Sequence, residues 1–96
     1  MAFTAVLAIM ALLALPALTA RTAATADEAI EKLEPGDVLV VRATSPAFNA
    51  VLTVAGAVVT ANGGALSHAA VLARELGIPA VVGAVGAPDI PDGAIV

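Results

Sequence analysis

Several residue types on which common binding and catalytic sites depend are missing from this chain. It has no cysteine, which excludes disulfides, thiolate metal sites and cysteine nucleophiles. It has no tryptophan or tyrosine and only two phenylalanines, so it offers no aromatic platform for stacking nucleic acid bases. Four basic side chains stand against eight acidic ones, and a net charge of -4 without a basic cluster argues against nucleic acid as a partner.

The residues that are present make a short and strongly apolar chain. Ninety-six residues suffice for one small domain, and 60% of them are hydrophobic. With so few aromatic residues, the core has to be built from Ala, Val, Leu and Ile, whose small side chains let helices pack closely on a sheet. The composition therefore favours a compact α/β layer, while the absence of cysteine is compatible with the cytosol without fixing the compartment.

The first 20 residues contain no charged side chain, and three interpretations of this segment stay open. A signal peptide would have an apolar stretch of this length, with cleavage at Ala24-Thr25-Ala26, although no Lys or Arg precedes the stretch. A membrane anchor needs about 20 apolar residues, and Pro16 lies inside a run that only just reaches that length. The third interpretation is a buried helix or the remnant of a longer chain. We therefore treat residues 1–26 as a separate N-terminal segment.

From Thr25 onwards, the sequence predicts helices that alternate with strands. Thr25 and Glu28 form a capping box at the start of a first helix, which ends near Leu33. Ser45-Pro46 open a second helix that Gly56 ends, and Gly77 ends a third. Continuous apolar runs predict buried strands over 38–41, 57–60, 80–83 and 94–96. The alternation indicates an α/β fold, with a small, mainly parallel sheet flanked by helices, in a domain that spans residues 27–96.

The loop before the third predicted helix carries the chemistry. It lies between the carboxyl end of a strand and the start of a helix, where open α/β sheets place their ligands. Gly63 and Gly64 permit positive φ angles and let a ligand approach the backbone closely. Ser67 is a suitable N-cap, which puts His68 in the first turn of the helix.

A histidine in this position suits a phosphoryl carrier. Unpaired backbone N–H groups and the positive end of the helix dipole would stabilise a phosphoryl group on His68. The same dipole favours neutral imidazole, the nucleophilic form, over imidazolium. The residues alone leave a simpler interpretation open, because glycine pairs also occur in plain turns and a lone histidine at a helix start is commonly solvated or capping. A metal site is not expected, since one histidine without cysteine or a nearby acidic pair gives too few ligands.

The run from Gly63 to Gly83 resembles the signature of the phosphoenolpyruvate-utilising mobile domain, also called the phosphohistidine swivelling domain. It combines the glycine pair, Ser67-His68, a helix and Gly77-Ile78-Pro79-Ala80, and Thr44-Ser45-Pro46 fits the family's pattern as well. The family includes phosphoenolpyruvate synthase, pyruvate phosphate dikinase, enzyme I of the sugar phosphotransferase system and rifampin phosphotransferase. Leu66 stands where the synthase, dikinase and enzyme I motifs have threonine, which is closer to the rifampin-phosphotransferase-like members.

The resemblance implies a domain that swings between two sites and carries a phosphoryl group on His68. Gly63, Gly64 and Ser67 would shape the loop, and Arg74 would make supporting helix-surface or domain-docking contacts. One partner domain would bind ATP, as an ATP-grasp domain does, and another would bind phosphoenolpyruvate, pyruvate or the final acceptor. Mg²⁺ and ATP or phosphoenolpyruvate would thus bind to partner domains, and this chain would bind no cofactor. We therefore expect a cytoplasmic phosphotransferase component that does not turn over alone.

Two other interpretations of the whole chain are kept. One is a non-catalytic remnant or binding module, which retains the motif without the chemistry. The other is a protein that is exported, or anchored to a membrane, through residues 1–20. The family's last strand normally continues past the Asp92-Gly93 turn, so we also expect the domain to be incomplete at its C-terminus.

Overall fold

The computed structural model describes residues 18–95, which form one four-stranded parallel sheet with helices packed against it. The strands lie in the order in which they occur along the chain. They are β1 (Ala20–Thr22), β2 (Val38–Val41), β3 (Ala57–Thr60) and β4 (Ala80–Val81). The α/β class and the parallel sheet expected from the sequence are confirmed.

Three helices connect the strands. They are α1 (Ala26–Lys32), α2 (Asn49–Leu52) and α3 (His68–Leu76), and a 3-10 turn, Pro46–Phe48, leads directly into α2. Because consecutive strands are direct neighbours, right-handed crossovers place all three helices on the same face of the sheet. The segment after β4 covers the opposite face and contains a second 3-10 turn, Ala87–Asp89.

The core has two halves, because alternate strand residues point to opposite faces of the sheet. On the helical face, Leu39 and Val58 pack with buried residues of the helices, namely Ala29, Phe48, Val51, Leu52 and Ala73. On the other face, Val40 and Val59 pack against Ala87 and Ile90. All eight residues of β2 and β3 are buried, which explains why seven of them are apolar. The exception is Thr60 at the end of β3.

The predicted ends of α1 and α3 are confirmed in atomic detail. The Thr25 hydroxyl accepts a hydrogen bond from the Glu28 N–H at 3.2 Å, and the Glu28 carboxylate accepts one from the Ala24 N–H at the same distance. At the far end of α3, Gly77 adopts the left-handed conformation with φ 72°, so it is the C-cap that the Gly-Ile-Pro sequence predicts.

The prediction of one helix from Pro46 to Gly56 was wrong in its continuity, its N-cap and its end. The segment divides into the 3-10 turn and α2, and Ser45 makes no side-chain capping bond. The α-helix ends at Leu52, next to Thr53, whose hydroxyl donates to the Ala50 carbonyl oxygen at 2.6 Å. A hydroxyl bonded to a carbonyl near a helix end competes with continuation of the helix.

Gly56 is not a helix cap, and its role is to allow a close backbone contact. A Cβ at this position would overlap the carbonyl oxygen of Gly36, which itself has φ 89°. The Gly36 N–H donates to the Val54 carbonyl at 2.9 Å, and the Gly56 N–H donates to the Asp37 carbonyl at 2.9 Å. Two turns that precede neighbouring strands are thus held together through their backbones.

The edges of the sheet differ from the prediction. The third predicted strand, 80–83, ends at Val81 because Gly83 turns the chain with φ 70° and the next N–H donates to the Thr60 carbonyl at 2.9 Å. The predicted strand 94–96 contributes only one antiparallel bridge, between Thr19 and Ile95, and Val96 lies outside the described residues. The strand β1, three residues inside the segment 1–26 that pair in parallel with β2, was not predicted from the sequence.

The interpretations of the apolar N-terminus concern residues 1–26, of which residues 1–17 lie outside the described residues. The rest of this segment includes β1 and the first residue of α1. Within residues 18–95, no helix has the length and apolar character needed to cross a bilayer.

Candidate functional site

His68 is the first residue of α3 and lies at the edge of the sheet formed by the carboxyl ends of β2 and β3. Ser67 precedes it as N-cap, and the Ser67 hydroxyl accepts a hydrogen bond from the Ala70 N–H at 3.3 Å. The prediction that Ser67 caps this helix is confirmed. Since α3 has no acidic residue in its first turn, the positive end of its dipole is not neutralised from within the helix.

Both nitrogens of the His68 imidazole have a partner, and both partners come from one segment after β2. Nδ1 lies 2.6 Å from the hydroxyl oxygen of Thr44 in a partly buried contact. Nε2 lies 3.0 Å from the amide oxygen of Asn49 on the exposed side. We call this pair, Thr44 and Asn49, the imidazole clamp. It fixes the plane of the ring and leaves Nε2 as the nitrogen that faces outward.

The two glycines of the loop differ in their structural roles. Gly63 has φ 108°, and a Cβ there would lie 2.9 Å from the Cβ of Ser67 and 3.0 Å from its hydroxyl oxygen. Glycine at this position is therefore required by the fold. Gly64 has an ordinary φ, and a Cβ there would meet no protein atom within 4 Å. Gly64 leaves its backbone open to solvent, which is the property that close approach of a ligand requires.

Two further hydrogen bonds hold the loop in shape. Thr60, at the end of β3, is fully buried, and its hydroxyl donates to the Asn62 carbonyl at 2.7 Å. The Arg74 guanidinium reaches back along α3 and donates to the Ala65 carbonyl at 3.1 Å. This bond links the body of α3 to the loop.

The surroundings of the ring are open and carry few charges. His68 and Asn49 line a groove of about 390 Å³ together with one acidic residue and several apolar ones, namely Glu75, Pro46, Val71 and Leu72. Within residues 18–95, no three His, Cys, Asp or Glu side chains are grouped so that they could hold a metal ion. Leu66, two residues before His68, is 89% exposed and points away from the core.

His68 and its loop were predictable from the sequence, whereas no role for Thr44 or Asn49 was predicted. The clamp residues lie 24 and 19 positions before His68, and their spacing forms no recognisable pattern. A signal for Thr44 was present, because Thr44-Ser45-Pro46 fits the family's pattern. Asn49 gave no signal, since an Asn between two apolar residues is typical of an exposed helix position.

Fold and site together define a small parallel α/β domain that presents a single histidine at the start of a helix. Residues 33–96, more than half of the chain, match the family model described as PEP-utilising enzyme, mobile domain. The chain belongs to this family.

Several much larger proteins contain a segment that is similar to this chain. It is 55% identical over 65 residues to chondramide synthase cmdD of Chondromyces crocatus, which covers 67% of this chain and 2% of that protein. It is 56% identical over 52 residues to phosphoenolpyruvate synthase of Escherichia coli strain K12, a match that covers 54% of this chain and 7% of the synthase. It is 55% identical over 49 residues to the uncharacterized phosphotransferase YvkC of Bacillus subtilis strain 168, a match that covers 51% of this chain and 6% of that protein. The chain therefore corresponds to less than a tenth of each of these proteins.

Proposed function

We propose that His68 carries a phosphoryl group on Nε2. The supporting observation is the asymmetry of the imidazole clamp, because Thr44 holds Nδ1 on the partly buried side at 2.6 Å while Nε2 faces the exposed side. A phosphoryl donor reaches an exposed nitrogen without disturbing the core. With the ring proton on Nδ1, donating to the Thr44 hydroxyl, Nε2 has a free lone pair and is a competent nucleophile.

The start of α3 supplies the electrostatics for this role. The first turn of a helix directs N–H groups and the positive end of the dipole toward an anion. Its effect is local, and α3 carries no carboxylate in that turn to oppose it. Gly63, Ser67 and Arg74 would keep the loop in position, and the open backbone at Gly64 would leave room for phosphoryl oxygens.

The proposed reaction consists of two displacements at phosphorus. In the first, the Nε2 lone pair forms the N–P bond while the P–O bond of the donor breaks and the leaving oxygen keeps its electron pair. In the second, an acceptor oxygen attacks phosphorus and Nε2 regains its lone pair. The covalent intermediate divides one difficult transfer into two easier ones.

Donor and acceptor would bind to partner domains. Relatives of this chain include proteins named phosphoenolpyruvate synthase and phosphotransferase, in which the matched segment is a small part of the protein. We propose that Mg²⁺ and ATP bind to an ATP-grasp-like domain, and that phosphoenolpyruvate, pyruvate or another acceptor binds to a second domain. The chain would then be a phosphotransferase component that shows no turnover alone. A cytoplasmic location belongs to this proposal and stays a prediction.

The test is phosphorylation of the full chain by a related enzyme whose own carrier histidine has been replaced. The chain is incubated with that enzyme and either ATP and Mg²⁺ or phosphoenolpyruvate, and its intact mass is compared with that of His68→Ala. Because His68 is the only histidine, this single variant removes every histidine that could carry the label. We expect one phosphoryl group per chain, labile in acid, stable in base and absent from His68→Ala.

A second donor makes a negative result informative. Phosphoramidate phosphorylates accessible imidazoles without a partner protein, as its P–N bond breaks and ammonia leaves. If a folded chain accepts no phosphoryl group from either the enzyme or phosphoramidate, the carrier proposal is wrong and the binding-module alternative is favoured. Uptake from phosphoramidate but not from the enzyme would show that His68 is competent and that the partner was mismatched.

A further inference from the structure

The side chain of Asn49 contacts Nε2 of His68, the nitrogen that is proposed to carry the phosphoryl group. Its amide oxygen lies 3.0 Å from Nε2 of His68, although Asn49 itself is an exposed residue at the start of α2. The backbone of Asn49 is held in place by its neighbours. Phe48 is buried in the core of the helical face, and the Asn49 N–H donates to the Pro46 carbonyl. Because this backbone is well anchored, the exposed side chain of Asn49 contacts the His68 imidazole in a defined geometry.

The contact has a consequence for the protonation of the ring. A neutral imidazole has one N–H donor and one acceptor nitrogen. An amide oxygen at Nε2 requires the proton on Nε2, and the Thr44 hydroxyl then donates to Nδ1. In that tautomer Nε2 has no free lone pair and cannot attack phosphorus. With the Asn49 oxygen toward the ring, the proposed carrier would therefore be in a resting state.

A carboxamide can also stabilise the opposite tautomer. Rotation by about 180° around the terminal bond of Asn49 exchanges its oxygen for the NH₂ group, which is a donor. The NH₂ group then points at the Nε2 lone pair, while Nδ1 carries the proton and donates to the Thr44 hydroxyl. Threonine is both donor and acceptor, so it accommodates either tautomer without moving.

We propose that Asn49 is a positioning residue that selects between the resting and the nucleophilic tautomer of His68. This inference rests on the proposed carrier function of the same histidine. On activation, Nε2 loses its proton to solvent, Nδ1 takes one up from solvent, and the Asn49 amide turns its NH₂ group to the ring. When the Nε2–P bond forms, the NH₂ group leaves the lone pair and donates to a phosphoryl oxygen.

Two substitutions separate this role from mere packing. Asn49→Asp has nearly the same shape but only acceptor atoms at neutral pH, so it holds the proton on Nε2 and repels the incoming phosphoryl group. Asn49→Ala removes both the acceptor and the donor. Since Asn49 is exposed, both variants are expected to fold. Ala50→Asp is the matched control, because it adds the same charge at the next exposed position of α2 without replacing the side chain that contacts the ring.

The experiment is ¹⁵N NMR of the imidazole nitrogens in the full chain at a pH where the ring is neutral. With one histidine, the two signals are assigned without ambiguity, and their shifts give the tautomer ratio directly. We expect both tautomers in the wild-type chain and in Ala50→Asp, and a shift toward the Nε2-protonated form in Asn49→Asp. The rate of phosphorylation by phosphoramidate is expected to fall about tenfold or more in Asn49→Asp.

The outcomes distinguish this inference from the carrier proposal. If Asn49→Asp and Asn49→Ala both keep the wild-type tautomer ratio, Asn49 does not select the tautomer and the inference is overturned. If the ratio moves as expected but the wild-type chain takes up no phosphoryl group, the inference about Asn49 stands and the carrier function fails. Faster hydrolysis of the phosphorylated Asn49→Ala chain would support the donor bond to the phosphoryl group, and an unchanged rate would contradict it.

Discussion

The Thr44 hydroxyl lies 2.6 Å from Nδ1 of His68, across 24 residues of sequence. Thr44 follows β2 and His68 begins α3, so the bond joins the loop after β2 to the first turn of α3 at the same edge of the sheet. It forms because parallel strands bring the residues that follow their carboxyl ends into one region. Because this bond holds Nδ1 on the partly buried side, Nε2 is the ring nitrogen that lies toward solvent and that a phosphoryl donor can reach.

Removal of the Thr44 hydroxyl should slow phosphorylation of His68. Thr44→Val nearly keeps the volume of the side chain and loses a hydrogen bond worth about 0.5–1.5 kcal/mol, which corresponds to a rate about two- to tenfold lower. Thr44→Ser keeps the hydroxyl and should stay close to the wild-type rate. Uptake from phosphoramidate measures both variants without a partner. A Thr44→Val chain that reacts at the wild-type rate would show that the bond does not orient the ring.

The two glycines of the loop should respond differently to alanine. Gly63→Ala forces an L-residue to φ 108° and brings a methyl group to 2.9 Å from the Ser67 Cβ, so we expect a loss of about 1–3 kcal/mol in the free energy of unfolding. Gly64→Ala meets no neighbour within 4 Å and should change stability by less than about 1 kcal/mol. Urea denaturation measures both. Equal losses would mean that Gly64 also has a conformational role.

The Gly64→Ala variant also tests the proposal that the backbone at Gly64 leaves room for phosphoryl oxygens. If phosphoryl oxygens approach its backbone, Gly64→Ala should remain folded yet accept the phosphoryl group more slowly, because the methyl group occupies that space. Normal uptake by a folded Gly64→Ala chain would remove Gly64 from the proposed phosphate loop.

Leu66 should matter for docking and not for folding. Because its side chain is 89% exposed, Leu66→Ala is expected to change the free energy of unfolding by less than about 0.5 kcal/mol. If a donor domain covers the loop, the variant loses part of the roughly 1.5–3 kcal/mol that burial of a leucine provides. Transfer from a partner enzyme should then slow while uptake from phosphoramidate is unchanged. Ile30→Ala, an exposed apolar residue on α1, is the control and should affect neither reaction.

Asp92 should make stability depend on pH in the acid range. Its carboxylate accepts a hydrogen bond from the Thr22 N–H at 2.9 Å and lies 3.3 Å from the Lys32 ammonium, and these contacts lower the pKa of Asp92. A carboxyl group with a lowered pKa in the folded state stabilises the fold above its unfolded pKa, and this contribution is lost as the pH falls toward the folded value. The effect is modest, because the group is exposed to solvent and screened.

The measurement is urea denaturation of the wild-type chain and Asp92→Asn at pH 7 and pH 3. We expect the variant to be less stable at pH 7 and the difference to shrink at pH 3. Asp89→Asn removes a nearby carboxylate for which the part of the chain from 18 to 95 provides no ion-pair partner, and it should show a smaller difference. A constant difference between the wild-type chain and Asp92→Asn at both pH values would exclude titration of Asp92 as the cause.

Much of the secondary structure followed from local chemistry. The apolar runs of β2 and β3 and the capping residues Thr25, Ser67 and Gly77 were predictable because each feature depends on residues a few positions apart. The errors occurred where the deciding contact is remote. Gly56 was predicted to be a helix cap. Glycine is needed there because the carbonyl oxygen of Gly36, twenty residues earlier, lies so close that no Cβ would fit. The strand β1 has no apolar run and exists through its pairing with β2.

Composition and short motifs are enough to predict the fold class, the position of His68 at the start of a helix and the family. The identity of the side chains around the imidazole follows from the three-dimensional packing and not from these motifs. Thr44 and Asn49 reach His68 because the parallel strands bring the turn after β2 beside the start of α3, a distance relation that no local pattern encodes. A hydrogen bond depends on the separation of two atoms in space, whereas a sequence pattern specifies only their separation along the chain.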